Sequence, residues 1–259
     1  MQDLKVTIVQ SKLYWEDIGR NLAMFSEKLA AIHETTDLII LPEMFSTGFS
    51  MNSTSLAEEM DGPAMAWMAA ESKKKDTVIC GSLIIKEEGH FYNRLIWMRP
   101  DGSYDQYDKR HLFRMMKEHE HFSGGKERII VEMNGWRICP MICYDLRFPV
   151  WSRNSGDYDC LLYIANWPEP RREAWLSLLA ARAHENQAYV IGVNRIGEDG
   201  NGVLFSGDSI AFDAKGQTIT TIEKGKEGIV TCNMSYSALK DFRKKFPVAL
   251  DADTFQIIP

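Results

Sequence analysis

Two residues of reactive types lie at the ends of apolar stretches of this 259-residue chain, and a lysine lies between them. Glu43 follows the run LIILP, Lys109 lies in YDKRHLF, and Cys143 ends the run ICPMI. Reactive groups in α/β folds collect at strand ends, because loops above a rigid sheet can be shaped around a substrate. We therefore interpret Cys143 as a candidate nucleophile that a buried strand delivers to an exposed turn.

A cysteine nucleophile needs help with its proton, since an unperturbed thiol is largely neutral near pH 7. No histidine is placed for this task, so Glu43 is the better candidate base. Phe45 and Phe49 follow Glu43 closely and would give it an apolar wall. Lys109 would favour the thiolate of Cys143 through its charge, and the same ammonium could stabilise an oxyanion during acyl transfer.

The remaining cysteines indicate packing rather than chemistry. Each lies in or beside an apolar segment and is expected to be a buried, reduced thiol; they are Cys80, Cys139, Cys160 and Cys232. The spacing from Cys139 to Cys143 is C-x3-C, with no second cysteine pair, so neither a structural zinc site nor a thiol-redox protein is favoured.

The chain around these residues alternates strand and helix patterns. Apolar residues recur at helical spacing over 17–32, 64–75, 171–186 and 235–246. Strand patterns occur at 5–10, 38–41, 78–85, 94–98, 129–133, 137–143, 161–165, 189–194, 209–212, 218–222 and 228–232. Asn134-Gly135 predicts a hairpin, and 108–128 looks irregular. This pattern favours an α/β fold with two packed sheets covered by helices. No linker divides the chain, so residues 1–259 are predicted to form a single domain.

Composition excludes several classes of partner. The net charge is −6, with acidic and basic residues interspersed, which argues against nucleic acid or an anionic membrane as the main partner. No apolar run approaches the roughly 18 residues that a bilayer crossing needs, and the N-terminus lacks the apolar core of a signal peptide. We therefore expect a soluble, cytoplasmic protein.

Three segments resemble the signature blocks of the nitrilase (carbon–nitrogen hydrolase) superfamily, and they occur in the family's order. They are LPEMF from Leu41, YDKRHLF from Tyr107 and ICYDLRF from Ile142. The resemblance continues through ANWP from Ala165 and ARAHENQ from Ala181. It implies a four-layer α-β-β-α sandwich of two mixed sheets that works without a metal or an organic cofactor.

The resemblance also implies roles for individual residues. Glu43 would be the general base, Lys109 the stabiliser of the oxyanion and Cys143 the nucleophile. The backbone N–H of Tyr144 would complete the oxyanion hole.

Family members carry a second glutamate in the loop after the lysine. The spacing to the turn at 123–124 favours Glu118 for this position. Glu120 stays open as the alternative, because this chain has glycine where proline is common in the family.

The segment after the nucleophile points to one branch of the family. Cys143-Tyr-Asp is closer to amidases and carbamoylases than the Cys-Trp-Glu of nitrile-hydrolysing members. Together with EHEHF from Glu118 and NWP from Asn166, it resembles the bacterial omega-amidase group, whose members deamidate 2-oxoglutaramate or 2-oxosuccinamate. This implies a small-molecule amide as substrate and a homo-oligomer. An N-carbamoyl amino acid hydrolase, a general aliphatic amidase and a non-catalytic binding protein are the alternatives, although the intact triad argues against the last.

Such a substrate carries a carboxylate, so an arginine is expected in the pocket. Arg147 is the nearest candidate in sequence, with a loop-fixing salt bridge as its alternative role. Arg171 and Arg172 begin a helix and are expected in solvent. Three further residues are predicted to border the pocket, namely Phe113, Met116 and Trp167.

Overall fold

The computed structural model describes residues 2–257, in which fourteen strands and six α-helices form. The strands are β1 Leu4–Gln10, β2 Leu38–Ile40, β3 Val78–Glu87, β4 His90–Met98, β5 Tyr104–Asp108, β6 Val131–Met133, β7 Trp136–Ile142, β8 Cys160–Ala165, β9 Tyr189–Asn194, β10 Ile196–Glu198, β11 Leu204–Ser206, β12 Ile210–Phe212, β13 Thr218–Thr221 and β14 Gly228–Met234. The helices are α1 Ile18–Ala30, α2 Ser53–Leu56, α3 Pro63–Lys75, α4 Glu118–His121, α5 Arg172–Asn186 and α6 Tyr236–Lys245. Among residues 2–257, no helix combines the length and apolarity that a bilayer crossing requires.

Twelve of these strands form two six-stranded sheets with the same succession of pairings. The first sheet has the order β14-β1-β2-β3-β4-β5, and the second has the order β6-β7-β8-β9-β12-β13. In each sheet the pairings run antiparallel, parallel, parallel, antiparallel, antiparallel. Both sheets are therefore mixed, and β10 pairs with β11 in a separate hairpin.

The side-chain alternation of the strands shows how the layers pack. Along β2, Leu38 and Ile40 belong to the core shared with the second sheet, whereas Ile39 packs with Phe25 of α1 and Met68 of α3. Successive strand residues point to opposite faces, so one face of the first sheet meets the second sheet and the other meets helices. Helix α5 covers the second sheet in the same way. The predicted four-layer α-β-β-α sandwich is confirmed.

Most predicted elements form, and the differences have local causes. The Asn134-Gly135 hairpin is confirmed: both residues have positive φ angles, of 52° and 85°, as a tight turn of this type requires. Strand β5 was missed because its sequence YDQYD is mostly polar and it forms the edge of the first sheet. The β10–β11 hairpin was missed because each of its strands has only three residues.

Glu58 gives the fold a testable dependence on pH. Its carboxylate accepts a hydrogen bond from the backbone N–H of Ala64 in the first turn of α3, at 2.8 Å. Burial raises the pKa of Glu58 from 4.5 to about 7, although backbone N–H groups of Ala64 and Met65 oppose the shift. Between these two pH values folded Glu58 binds more protons than it does in the unfolded chain, so the contribution of Glu58 to stability is greatest below pH 4.5 and is lost as the pH rises towards 7.

We expect Glu58→Gln to remove this pH dependence. Glutamine keeps the acceptor for Ala64 N–H but cannot ionise, so above pH 7 the variant should be more stable than the wild type by about 1–2 kcal/mol, allowing for the partial exposure of the carboxyl. Urea unfolding at several pH values between about 5 and 8 measures this difference. Glu59→Gln, at an exposed neighbouring position, is the control. If the free energy of unfolding changed equally with pH in the wild type and in Glu58→Gln, Glu58 would not be the source of the pH dependence.

Candidate active site

The site lies where strand ends of the two sheets meet. Glu43 follows β2 and Lys109 follows β5 in the first sheet, while Cys143 follows β7 and Asn166 follows β8 in the second. Sheet packing thus brings together residues that are 123 positions apart in the case of Glu43 and Asn166. All four residues are buried.

Lys109 holds the centre of a buried charge cluster. Its Nζ donates to Glu43 Oε1 at 2.9 Å and to the two carboxylate oxygens of Glu118 at 2.9 and 3.0 Å. An ammonium has three donors, so one donor shared between the two oxygens of Glu118 would leave one for another acceptor. The ring of Phe49 lies 4.9 Å from Nζ, so an apolar wall borders the cluster.

The structure places Glu118, and not Glu120, in this cluster. Glu118 is fully buried, and its Oε2 also accepts the backbone N–H of Phe113 at 2.5 Å. Glu120 is exposed and pairs with Lys117 at 3.6 Å. Burial raises the pKa of Glu118, although the charge of Lys109 opposes the rise. For Lys109, burial lowers the pKa, but the charges of Glu118 and Glu43 outweigh it, so the pKa of the ammonium is raised overall.

Two asparagines hold the carboxylate of Glu43. Asn93 Nδ2 donates to Oε1 at 2.8 Å, and the backbone N–H of Asn166 donates to Oε2 at 2.7 Å. The side-chain amide of Asn166 also donates to the backbone carbonyl of Glu43 at 2.6 Å. Sequence reasoning gave neither residue a role at the site. The only signal for Asn93 was a polar residue beside the apolar run that became β4.

Cys143 adopts an unusual backbone conformation at the end of β7. Its φ is +43°, in the left-handed region that residues with a Cβ seldom occupy. A 3₁₀ turn, Cys143–Arg147, starts there. Backbone N–H groups in the first positions of such a turn have no partner within it, which includes that of Tyr144. The Sγ atom lies 3.9 Å from the carbonyl oxygen of Asn166.

The electrostatic surroundings keep the thiol protonated at rest. Burial raises the pKa of Cys143 well above its ordinary value, the charge of Glu43 adds to the rise, and Lys109 opposes it without reversing it. Lys109 therefore favours the thiolate, as expected, but burial and the charge of Glu43 outweigh it in the resting site. Two carboxylates surround one ammonium, so the nearby charge is negative on balance.

A cavity opens beside the thiol and is lined by the predicted pocket residues and several others. Its lining includes Cys143, Phe49, Phe113, Met116, Tyr144, Arg147, Asn166, Trp167, Pro168, Arg171, Asp199, Val203 and Phe205. Phe45 was expected to form an apolar wall for Glu43 together with Phe49. Its ring packs instead against Phe25 and Trp67 in the core, with ring centroids 5.6 and 5.5 Å away.

The arginines of the site differ from expectation. The prediction that Arg171 lies in solvent is wrong: it borders the cavity, with its guanidinium 5.1 Å from the ring centroid of Phe113. Arg172 is partly exposed and pairs with Asp208 at 2.8 Å. Arg147 lies 5.1 Å from the ring centroid of Trp167 and, within residues 2–257, forms no salt bridge that would fix the loop.

Within the described part of the chain, no three His, Cys, Asp or Glu side chains are grouped so that they could hold a metal ion. The positive charge among the buried carboxylates is that of Lys109. The arrangement therefore offers a thiol, a carboxylate beside it and a fixed ammonium, which are the groups that acyl transfer needs.

A carbon-nitrogen hydrolase profile matches residues 5–244. The chain belongs to this family, the nitrilase superfamily, and is a hydrolase that acts on amide carbon–nitrogen bonds. It is 46% identical to the omega-amidase YafV of Escherichia coli strain K12 over 257 residues, which cover 99% of this chain and 100% of that relative. It is 34% identical to the 2-oxoglutaramate amidase of Bacillus subtilis strain 168 over 218 residues, 82% of this chain and 83% of the relative.

The fold is also similar to a solved structure of this family. XC1258 from Xanthomonas campestris, described as a CN-hydrolase superfamily protein with an arsenic adduct in its active site, matches with a TM-score of 0.97 at 43% identity. The match covers 99% of this chain and 100% of that one. The resemblance inferred from the three sequence blocks is therefore confirmed at the level of family and fold.

Proposed function

We propose that this chain is an omega-amidase that hydrolyses the terminal amide of a short 2-oxo dicarboxylic acid monoamide, such as 2-oxoglutaramate or 2-oxosuccinamate. The observation that carries the proposal is the pairing of a buried acyl-transfer site at Cys143 with two guanidiniums, Arg147 and Arg171, on the same cavity. The thiol suits an amide, and the guanidiniums suit a carboxylate. The names of the relatives from Escherichia coli and Bacillus subtilis support the same substrate class.

In the first half of the proposed reaction, Cys143 Sγ attacks the amide carbonyl while Glu43 takes the thiol proton. Because the thiol is protonated at rest, the attack requires transfer of this proton to Glu43. The third donor of Lys109 Nζ and the N–H of Tyr144 stabilise the oxyanion. Glu43 then gives its proton to the amide nitrogen, and the carbon–nitrogen bond breaks. Ammonia departs, and the acyl group remains on Cys143 as a thioester.

In the second half, a water molecule takes the place of the ammonia. Glu43 removes a proton from the water as its oxygen attacks the thioester carbonyl, and the same two donors hold the second oxyanion. The carbon–sulfur bond breaks and Glu43 returns its proton to Cys143 Sγ. Glu118 keeps Lys109 in place through both halves by its two contacts with Nζ. The products are ammonia and the dicarboxylic acid.

Arg171 is the better-placed group for the substrate carboxylate. Burial lowers the pKa of its guanidinium, and the charge of Arg147 adds to the lowering. Within residues 2–257 it has no carboxylate partner, in contrast to Arg172. A partly desolvated cation without a counter-ion favours an anionic ligand, and guanidinium matches a carboxylate with two parallel hydrogen bonds.

We expect Arg171→Met to impair turnover of acidic amides selectively. Loss of a charged hydrogen-bond partner costs about 1.5–3 kcal/mol, so kcat/KM for 2-oxoglutaramate should fall by about 10²-fold, mainly through KM. For an uncharged amide such as butyramide, kcat/KM should change by less than about threefold. Arg172→Met is the matched control, because Arg172 pairs with Asp208 and does not line the cavity. Equal losses on both substrates would contradict this role for Arg171.

A substrate panel tests the proposed function itself. Ammonia release from purified protein is measured with 2-oxoglutaramate, 2-oxosuccinamate, glutamine, N-carbamoyl amino acids and uncharged aliphatic amides. The highest kcat/KM is expected for the two 2-oxo acids. A higher value for an N-carbamoyl amino acid or an uncharged amide would replace omega-amidase by one of the alternative activities.

The cellular location and the self-association of the enzyme are also part of the proposal. We propose a cytoplasmic enzyme that acts on a freely diffusing small molecule and associates with copies of itself. All five cysteines are buried and unpaired, which is the state expected of a protein in a reducing compartment. Cell fractionation and light scattering of the purified protein test location and association; recovery in an extracellular fraction or a monomer would contradict them.

A further inference from the structure

A single buried carboxylate, that of Asp145, joins the segment of the lysine to the segment of the nucleophile. On the lysine side, Tyr107 OH donates to Oδ2 at 2.7 Å, and the backbone N–H of His111 donates to Oδ1 at 3.0 Å. On the nucleophile side, the backbone N–H of Ile142 donates to Oδ2 at 3.1 Å. The two residues on the lysine side bracket Lys109 in sequence: Tyr107 lies two positions before it and His111 two positions after it.

The ring of His111 adds a fourth bond and a support. Its Nδ1 lies 2.7 Å from Asp145 Oδ1, and Nδ1 is the donor because a carboxylate can only accept. The imidazole stacks on Phe148 with centroids 3.7 Å apart and planes 6° apart. Phe148 in turn meets the ring of Tyr144 edge to face, at 5.2 Å. The network therefore reaches the residue that carries the proposed oxyanion donor.

The carboxylate of Asp145 is occupied by groups of the protein itself. Its side chain is 0% exposed, and it is absent from the residues that line the cavity. No arginine or lysine within residues 2–257 pairs with it; its partners are the phenol, the imidazole and two backbone N–H groups. A carboxylate that accepts four directed hydrogen bonds has little freedom to move. It therefore also fixes the positions of the donating residues, Tyr107, His111 and Ile142.

The strained backbone of Cys143 needs such a restraint. A φ of +43° persists only where the surroundings over-determine it. The bond from Ile142 N–H to Asp145 closes the turn that contains Cys143. We propose that Asp145 is a positioning residue: it holds Cys143 in this conformation and keeps it in register with Lys109. This rests on the proposed function only in that Cys143 and Lys109 are the reacting groups, whatever amide the enzyme prefers.

Asp145→Asn tests this role, with Asp159→Asn as the matched control. Asparagine keeps the size but turns one acceptor oxygen into a donor, which opposes the N–H and O–H groups aimed at it. Asp159 is likewise buried and accepts several hydrogen bonds from Arg137 and Arg243. It lies directly before β8, at the end of β7 and β8 that is opposite to Cys143. Both variants should lower the melting temperature.

The expected difference lies in catalysis. For whichever amide the wild type hydrolyses fastest, kcat of Asp145→Asn should fall by about 10²-fold with KM changed by less than about threefold, while Asp159→Asn keeps kcat within about threefold. Using that amide separates this test from the identity of the natural substrate. A wild-type kcat in Asp145→Asn at a lowered melting temperature would overturn the proposal, since it would show a purely structural role.

Two milder variants keep the proposal testable if Asp145→Asn does not fold. Tyr107→Phe removes one bond to Asp145, and His111→Phe removes another while keeping a ring to stack on Phe148. Each should lower kcat by about tenfold and leave KM nearly unchanged. His111→Asn, which retains a donor near the position of Nδ1, should recover part of the loss. Unchanged kcat in both phenylalanine variants would overturn the proposal.

Discussion

Replacing Cys143 by alanine will abolish amide hydrolysis and leave the cavity able to bind its substrate. Alanine removes the sulfur that forms the thioester but keeps the backbone of the turn and the cluster of Glu43, Lys109 and Glu118. Loss of a nucleophile typically costs several orders of magnitude, and we expect kcat to fall by at least about 10⁴-fold. Calorimetric titration of the variant with 2-oxoglutaramate should still show binding.

Cys139→Ala is the matched control for this experiment. Cys139 is a buried thiol of β7, four residues before Cys143, and belongs to the hydrophobic core. Its loss should lower stability slightly and leave kcat within about threefold. Acid-quenched wild-type enzyme should also show the mass of an acyl adduct that Cys143→Ala lacks. Ammonia release by pure Cys143→Ala at a rate near that of the wild type would remove Cys143 from the mechanism.

The reactive residues at strand ends were predictable from sequence, because a buried strand is an apolar run and the exposed turn after it is polar. Cys143 and Glu43 each follow an apolar run and precede polar or turning sequence, and both lie at strand ends in the fold. The succession of strand and helix patterns also predicted two packed sheets covered by helices, and the structure shows β2 alternating between the core of the two sheets and the core under the helices.

The convergence of these residues was beyond sequence reasoning from residues alone. Glu43 and Lys109 come from the first sheet and Cys143 from the second, so their meeting depends on how two sheets pack. Segment 108–128 looked irregular and polar, yet it contains the fully buried Glu118. Its charge is accommodated by Lys109 and by Phe113 N–H. Apart from the family's spacing to the turn at 123–124, no local pattern distinguishes it from the exposed Glu120 two residues later.

Arg171 shows the same limit for a cation. A charged residue at the start of a helix is usually solvated, and the adjacent Arg172 does lie partly in solvent. Arg171 differs because the sheet end and the loop of Phe113 close around it. Its partial burial is a property of tertiary packing, and helical periodicity carries no information about it.

Replacing Lys109 by methionine is expected to impair both activity and folding. Methionine fills a similar volume but leaves the carboxylates of Glu43 and Glu118 buried side by side without a counter-charge. Removal of one partner from a buried ion pair costs about 3–5 kcal/mol, and one proton would then be shared between the two carboxyls. Because that shared proton raises a carboxyl pKa in the folded state, stability of the variant should recover as the pH falls.

The double variant Lys109→Met/Glu118→Gln separates the structural charge of Lys109 from its chemistry. Glutamine removes one of the two carboxylates, so most of the lost free energy of unfolding should return. The oxyanion donor is still missing, so kcat should stay at least about 10³-fold below the wild type in both variants. Urea unfolding and steady-state ammonia release on the same samples measure the two effects. Recovery of kcat together with stability would show that Lys109 is only a counter-ion, and the proposed stabilisation of the oxyanion would have to be assigned to Tyr144 and another donor.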